Sequence, residues 1–274
     1  MRRGRGGAGG VSRGADGPRI QVALNGARGG GDGTAVPMSP RALAESALGA
    51  VAAGAREVLV HPRTPCGRES LSPRVVGPVL EALRGAGVRV PLGVPVSVVT
   101  ESDPMGRLER VRSWTVLPER AVVRWGEPGA RELASALPAR GVAVDAVVRL
   151  GGPEASGGAG REAARAGAET WAGAAAWAAG QAGRVRLVGE AAGADPALEA
   201  ALRWPPAVPW TLFGRDAAAW PVLRRAARYG AGARIGVGDV LLLPDGRPAR
   251  SNAELVAAAV REWGRAATAT AGSR

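Results

Sequence analysis

The chain has 274 residues, 46% of them hydrophobic, and a formal net charge of +12, which suits one large α/β domain and excludes disorder throughout. All 36 basic residues are Arg, and without lysine a Schiff-base aldolase, a pyridoxal-phosphate enzyme and a Walker-type phosphate loop are excluded. A single Cys and a single His exclude an intrachain disulfide and a Cys-rich zinc or iron–sulfur cage, and they limit any metal site to His61, carboxylates and water.

Residues 1–18 are Gly/Arg-rich, carry no periodicity and read as a disordered tail or an over-extended start of the reading frame. Gly4, Gly6 and Gly9 have the spacing of dinucleotide-binding glycines, but no strand precedes them. The other reading of this stretch is an RGG-like RNA-binding tail. The regular pattern starts at Arg19 and defines a body over 19–268, with a C-terminal tail over 269–274. A strand over 20–25 leads to a Gly-rich loop over 26–38. Ser39-Pro40 supplies an N-cap and a first-turn proline for a helix that ends near Ala53.

The next strand, 57–61, contains the only His. Val58, Leu59 and Val60 favour a strand, while Pro62, Pro65 and Gly67 stop it. Alternation places Leu59, His61 and Arg63 on one face. A helix over 73–84 follows, then a strand within 89–99 and a helix from Asp103-Pro104 to about Trp114. Residues 121–125 form a strand, 129–139 a helix, and 142–148 a strand whose apolar run suits a buried parallel sheet. The Ala/Gly-rich stretch 150–183 predicts a Gly loop and a long helix in which Trp171 and Trp177 pack rather than stack on a ligand. The remaining strands are 184–190, 210–213 and 234–237. Their helices are 195–204, 216–229 and a last one to about Ala266, opened by the capping box Ser251-Asn252-Ala253-Glu254.

Eight strand–helix units predict a single-domain (β/α)8 TIM barrel, with an open doubly wound sheet as the alternative. No apolar run reaches the ~18 residues of a membrane span, and no apolar signal core follows the first arginines, so a soluble cytoplasmic protein is expected. The Arg excess suggests a polyanion partner, but Arg standing in for Lys over a solvated surface explains it better, and no nucleic acid partner is expected.

In a barrel the site lies at the C-terminal strand ends. The polar residues expected there are Asn25, His61 with Arg63, Ser97, Arg124, Asp145, Glu190, and Arg234 with Asp239. Several arginines converging on one mouth suit an anionic ligand such as a carboxylate. Such sets also arise as structural ion-pair networks, and a lone His is often a hydrogen-bonded core residue. Cys66 reads as a small turn residue, with a thiol made acidic by Arg63 as the alternative.

Six stretches carry a resemblance: Val22–Ala27, Val60–Gly67, Trp125–Ala130, Ala219–Leu223, Arg234–Asp239 and Ser251–Val256. From about Ile20 to Ala266 the chain resembles the beta-keto acid cleavage enzymes, the group typified by 3-keto-5-aminohexanoate cleavage. The resemblance implies an oligomeric barrel with one catalytic divalent metal, typically zinc. It also implies an exchange in which a β-keto acid and acetyl-CoA give acetoacetate and a new acyl-CoA. The family binds its metal through His-x-His on the second strand and a Glu after the last. Here His61 matches the second His, but Leu59 and Gly238 replace the other His and the Glu. Arg234 and Asp239 match the family's Arg and Asp, which assist proton chemistry. Asp145 stands where the family has a Glu, Arg124 where it has an Asn, and Pro95-Val96-Ser97 where it has a hydroxyl-rich turn. Asn25, Ser97, Arg124 and Asp145 are the implied substrate contacts. Three expectations follow: a metal site rebuilt from His61 with Asp145 or Glu190, a metal-free barrel that binds an acidic ligand, or a polyanion-binding protein. On an intact family scaffold, Leu59→His with Gly238→Glu is expected to restore zinc binding.

Overall fold

A computed structural model describes residues 17–151, 158–181, 183–193, 196–203 and 205–271. The Gly/Arg-rich tail to residue 16, the predicted helix ends Asp195 and Trp204, and residues 272–274 lie outside the described residues. The strands are β1 (Ile20–Ala23), β2 (Glu57–Leu59), β3 (Leu92–Val96), β4 (Arg120–Arg124), β5 (Ala143–Leu150), β6 (Val185–Ala191), β7 (Trp210–Gly214) and β8 (Gly232–Ile235). The helices between and after them are α1 (Pro40–Ala52), α2 (Pro73–Gly85), α3 (Pro104–Arg112), α4 (Ala130–Ala139), α5 (Gly158–Ala179), α6 (Pro196–Leu202), α7 (Ala219–Tyr229) and α8 (Asn252–Ala271). All strand pairs are parallel in sequence order, and β1 pairs with β8 to close the barrel. The predicted closed (β/α)8 architecture is therefore the one formed, and the open sheet is not.

The helix starts follow from local chemistry. Ser39 accepts a hydrogen bond from the Ala42 amide at 3.1 Å and Asp103 one from Gly106 at 2.6 Å, each just before a first-turn proline. Ser251 caps α8 through the Glu254 amide at 3.2 Å, while the Glu254 carboxylate reaches past the cap to the Arg250 amide at 2.8 Å. Asn252, fully buried at the start of α8, ties three elements together. It donates to the Leu24 carbonyl at 2.8 Å and to Ser46 Oγ at 3.0 Å, and it accepts from the Val237 amide at 2.9 Å.

Outward strand residues such as Ile20, Val22, Val58, Val94, Val123 and Val144 pack against the helices in the main core. The Trp residues of α5 pack as predicted: Trp171 lies edge-on to Trp210 with centroids 6.3 Å apart, and Trp177 lies 4.7 Å from Trp125. Inward residues form three layers by the period-2 rule. The bottom layer is ionic, with Gln21, Glu57, Arg120, Asp145 and Arg186. The middle layer is apolar, with Ala23, Leu59, Val122, Val147, Val188 and Phe213. The top layer is polar and forms the mouth. No helix among the described residues is long and apolar enough to cross a membrane.

Candidate functional site

A cavity of about 100 Å³ opens at the C-terminal ends of the strands, floored by Leu59, Val122, Val147 and Phe213. One water needs roughly 10–15 Å³, so a small carboxylic acid fits. The rim carries His61, Glu69, Ser97, Arg124, Arg215, Arg234 and Asp239.

Arg234 comes from β8 and Asp239 from the turn that follows it. Their pairing is bidentate, Nε to Oδ2 at 3.0 Å and Nη2 to Oδ1 at 2.7 Å, and both residues are buried. The guanidinium carbon lies 3.2 Å from the centre of the Phe213 ring, a cation–π contact. The pair stands at the mouth, where the sequence pattern puts it.

Arg124 at the end of β4 donates from Nη1 to Glu190 Oε2 at 2.6 Å, and Arg215 donates from Nε to Glu190 Oε1 at 2.8 Å. One carboxylate thus aligns two cations from across the barrel. Burial alone would raise the Glu190 pKa, but the two guanidinium groups outweigh it and hold the group at about 2. Ser97 reaches the mouth and donates to Glu127 Oε1 at 2.9 Å.

Asn25 is fully buried and does not line the cavity. Its amide group brackets the His61 backbone, donating to the carbonyl and accepting from the amide, both at 2.9 Å. It extends the β1–β2 ladder by a side chain and so sets where His61 stands. Arg63 is likewise a loop clamp, donating to the Gly67 and Gly26 carbonyls at 2.7 Å and to Glu69 at 3.2 Å. Cys66 is exposed and its thiol is lowered to about 7, mainly by the Thr64 hydroxyl at 3.0 Å and then by Arg68, not by Arg63.

The expectation for Asp145 is corrected. It faces inward but lies at the opposite end of the barrel, third in β5, paired with Arg120 and Arg186 and hydrogen-bonded to Gln21. One further inward position, Val147 of the apolar layer, separates it from the mouth, so an inward carboxylate there is a base residue and not a substrate contact.

The metal implied by the resemblance does not fit these residues. Leu59 belongs to the apolar layer, and Gly238 has neither a side chain nor space for one. A Cβ at Gly238 would lie 2.7 Å from the Gly26 amide nitrogen and 3.0 Å from its Cα. Glu190 and Asp239 are engaged by arginines, and Asp145 is at the wrong end. Among the described residues no three His, Cys, Asp or Glu side chains come together as a metal site. A single imidazole does not hold zinc, whose catalytic sites take three protein ligands.

His61 is half-buried, and its Nδ1 has no hydrogen-bond partner among the described residues. Burial, then the charges of Arg234, Arg215, Arg63 and Arg124, push its pKa down to about 3. The imidazole is therefore neutral in the folded chain. A folded pKa below the unfolded value favours folding above about pH 6.5, and this contribution is lost as pH falls toward 3. With no other His in the chain, urea unfolding is expected to show a loss of about 2 kcal/mol between pH 7 and pH 5. His61→Phe should flatten that window; an unchanged slope in the variant would assign it elsewhere.

Arg215, Glu69 and Phe213 are site residues that the sequence pattern did not single out. The available signal was alternation from Phe213, which puts Arg215 one inward step above it.

A family model for the beta-keto acid cleavage enzymes matches residues 19–143 and 174–272. No curated protein matches the chain. Among solved structures, apo ObcA has a TM-score of 0.61 at 17% identity and covers 85% of this chain. The chain spans 63% of that protein's length. The ternary complex of ObcA with a C4-CoA adduct and oxalate has a TM-score of 0.55 at 17% identity, covering 84% of this chain and 64% of the other. Dihydropteroate synthase from Xanthomonas albilineans, in complex with 7,8-dihydropteroate, has a TM-score of 0.54 at 17% identity, covering 93% and 95%. At such identities the likeness is one of fold.

Proposed function

The chain belongs to the beta-keto acid cleavage enzyme family, and from that premise we propose that its barrel mouth binds a small β-keto acid and exchanges its acyl group with acetyl-CoA. The products are acetoacetate and a new acyl-CoA, with zinc the metal such an exchange would ordinarily use. The observation that carries the reading is the buried Arg234–Asp239 pair in the wall of the mouth. Arg234, oriented by Asp239, holds the substrate carboxylate or assists deprotonation, and a guanidinium polarises the keto oxygen. Ser97 and Arg124 position the polar groups of the acid. ObcA lends support at the level of ligand class, since its structures carry oxaloacetate in one case and a C4-CoA adduct with oxalate in another. Assembly into a homo-oligomer and a cytoplasmic location belong to the same proposal.

The second reading is a barrel that binds the acid but has lost the exchange. Leu59 and the closed position at Gly238 favour it. Calorimetry with acetoacetate, together with an acyl-CoA exchange assay on short β-keto acids, separates the two. Binding with turnover supports the exchange, binding alone supports the second reading, and neither sinks both. Arg234→Met is expected to abolish turnover and weaken acetoacetate binding at least tenfold, while Arg234→Lys recovers part of the binding. Full turnover in Arg234→Met would remove this residue from the mechanism.

A further inference from the structure

The mouth lacks the ligands of a divalent cation, yet it is built around positive charge. Arg124, Arg215 and Arg234, together with Arg63, face three carboxylates, Glu69, Glu190 and Asp239, each already bound by a guanidinium group. One positive charge is left over, beside a neutral imidazole and an apolar floor. A divalent cation placed there would meet three guanidinium groups, whose repulsion is strong where the floor excludes water. An anion would meet the opposite field.

Arg215 is the residue most firmly set for this. It follows Gly214, where a Cβ would come within 2.6 Å of the Ala218 carbonyl oxygen, so the chain turns there too tightly for any side chain. The next residue, Asp216, adopts the left-handed region at φ 48°, which is uncommon for a non-glycine. Its amide donates to the Asp239 carbonyl at 2.8 Å, and its carboxylate bonds Arg28 of the β1–α1 loop. Arg215 is thus held from both sides by backbone geometry and laterally by Glu190. Only its Nε is used on Glu190; the two Nη atoms have no partner among the described residues. The side chain keeps 39% exposure, and it lines both the mouth and the adjoining cavity bounded by Ala27, Arg28 and Asp216.

We propose that Arg215, aligned with Arg124 on Glu190, replaces the divalent metal as the charge that binds the ligand's anionic oxygens, so that this mouth takes a small carboxylate without any metal. This rests on the β-keto acid reading above for the ligand class. A planar guanidinium whose terminal edge, formed by the two Nη groups, is free suits a carboxylate or enolate oxygen pair better than a point charge does.

The test is calorimetric titration of acetoacetate into the full chain after chelator treatment, with and without added zinc. A zinc titration alone and the variant Arg215→Met run beside it. Acetoacetate should bind the metal-free protein with an affinity that zinc changes less than twofold, zinc alone should give no stoichiometric binding, and Arg215→Met should lose at least tenfold while remaining fully folded at the assay temperature. Arg215→Lys guards against a purely structural loss, because a retained charge recovers part of the affinity. Binding that appears only with zinc would overturn the inference and leave the β-keto acid reading standing. Binding in neither state would overturn both. Equal affinity in Arg215→Met and the wild type would also overturn it.

Discussion

Asp145→Ala is expected to lower folding stability by about 3–5 kcal/mol while leaving acetoacetate binding at the mouth unchanged. The Asp145 carboxylate is fully buried and accepts from Arg120 Nε at 2.6 Å, Arg186 Nη2 at 2.6 Å and Arg186 Nε at 3.1 Å. Arg186 also binds Glu57 through both terminal nitrogens at 2.7 Å, so the base of the barrel holds two cations against two carboxylates. Deleting one carboxylate leaves that balance one positive charge in excess around the fully buried position of Asp145. Burial alone would raise the Asp145 pKa, but Arg186 and Arg120 prevail and hold it below the ordinary value. Its contribution is therefore present above about pH 4 and is lost as pH falls further. Urea unfolding at pH 7 measures the effect, and calorimetry below the transition measures the binding. A variant of wild-type stability that no longer binds acetoacetate would return Asp145 to the mouth.

The double substitution Leu59→His with Gly238→Glu is expected to take up far less than one zinc per chain and to lose stability. A family scaffold alone would suggest the reverse, since the two changes restore the missing ligands on paper. The obstacle is backbone against backbone. A Cβ on Gly238 lies 2.7 Å from the Gly26 nitrogen, and one on Gly26, itself at φ 57°, would lie 2.6 Å from the Gly238 carbonyl oxygen. No rotamer relieves such a contact, because the clashing atom precedes every χ angle; crowding of this kind costs about 1–3 kcal/mol or more. The Gly238 amide also donates to the Ala23 carbonyl at 3.0 Å, which pins the turn. The imidazole at 59 would enter the apolar layer beside Ala23 and Phe213. Metal content by mass spectrometry and the melting temperature decide the matter. One equivalent of zinc with an unchanged melting temperature would mean that the β1–α1 loop moves aside.

Part of the site is legible in the amino-acid order alone. Arg234 and Asp239 are five residues apart on a strand and its turn, so a local motif brings them together. His61 and Arg124 sit at strand ends that proline, glycine and tryptophan mark out. Arg215 is not legible in this way, because in a chain where every basic residue is Arg a single one carries little signal, and its partner Glu190 lies 25 residues away on another strand. Asn25 follows a strand and so reads as a mouth residue, but its role as a backbone bracket does not show, since its partner is a main-chain group 36 residues distant.

The amino-acid order by itself determined the eight strand–helix units, the caps at Ser39, Asp103 and Ser251, and the shared face of Leu59 and His61. Those depend on interactions within a few residues: N-caps, prolines that stop strands, and the period of two. Which layer an inward residue occupies is decided only by the closed barrel, because strand stagger sets how far along the axis each position lies. That is why Asp145 ends in the ionic base while Arg124 and Arg234 reach the mouth. The sequence also shows that Gly238 carries no ligand; only the tertiary structure shows that the backbone of Gly26 fills the space where a side chain would begin.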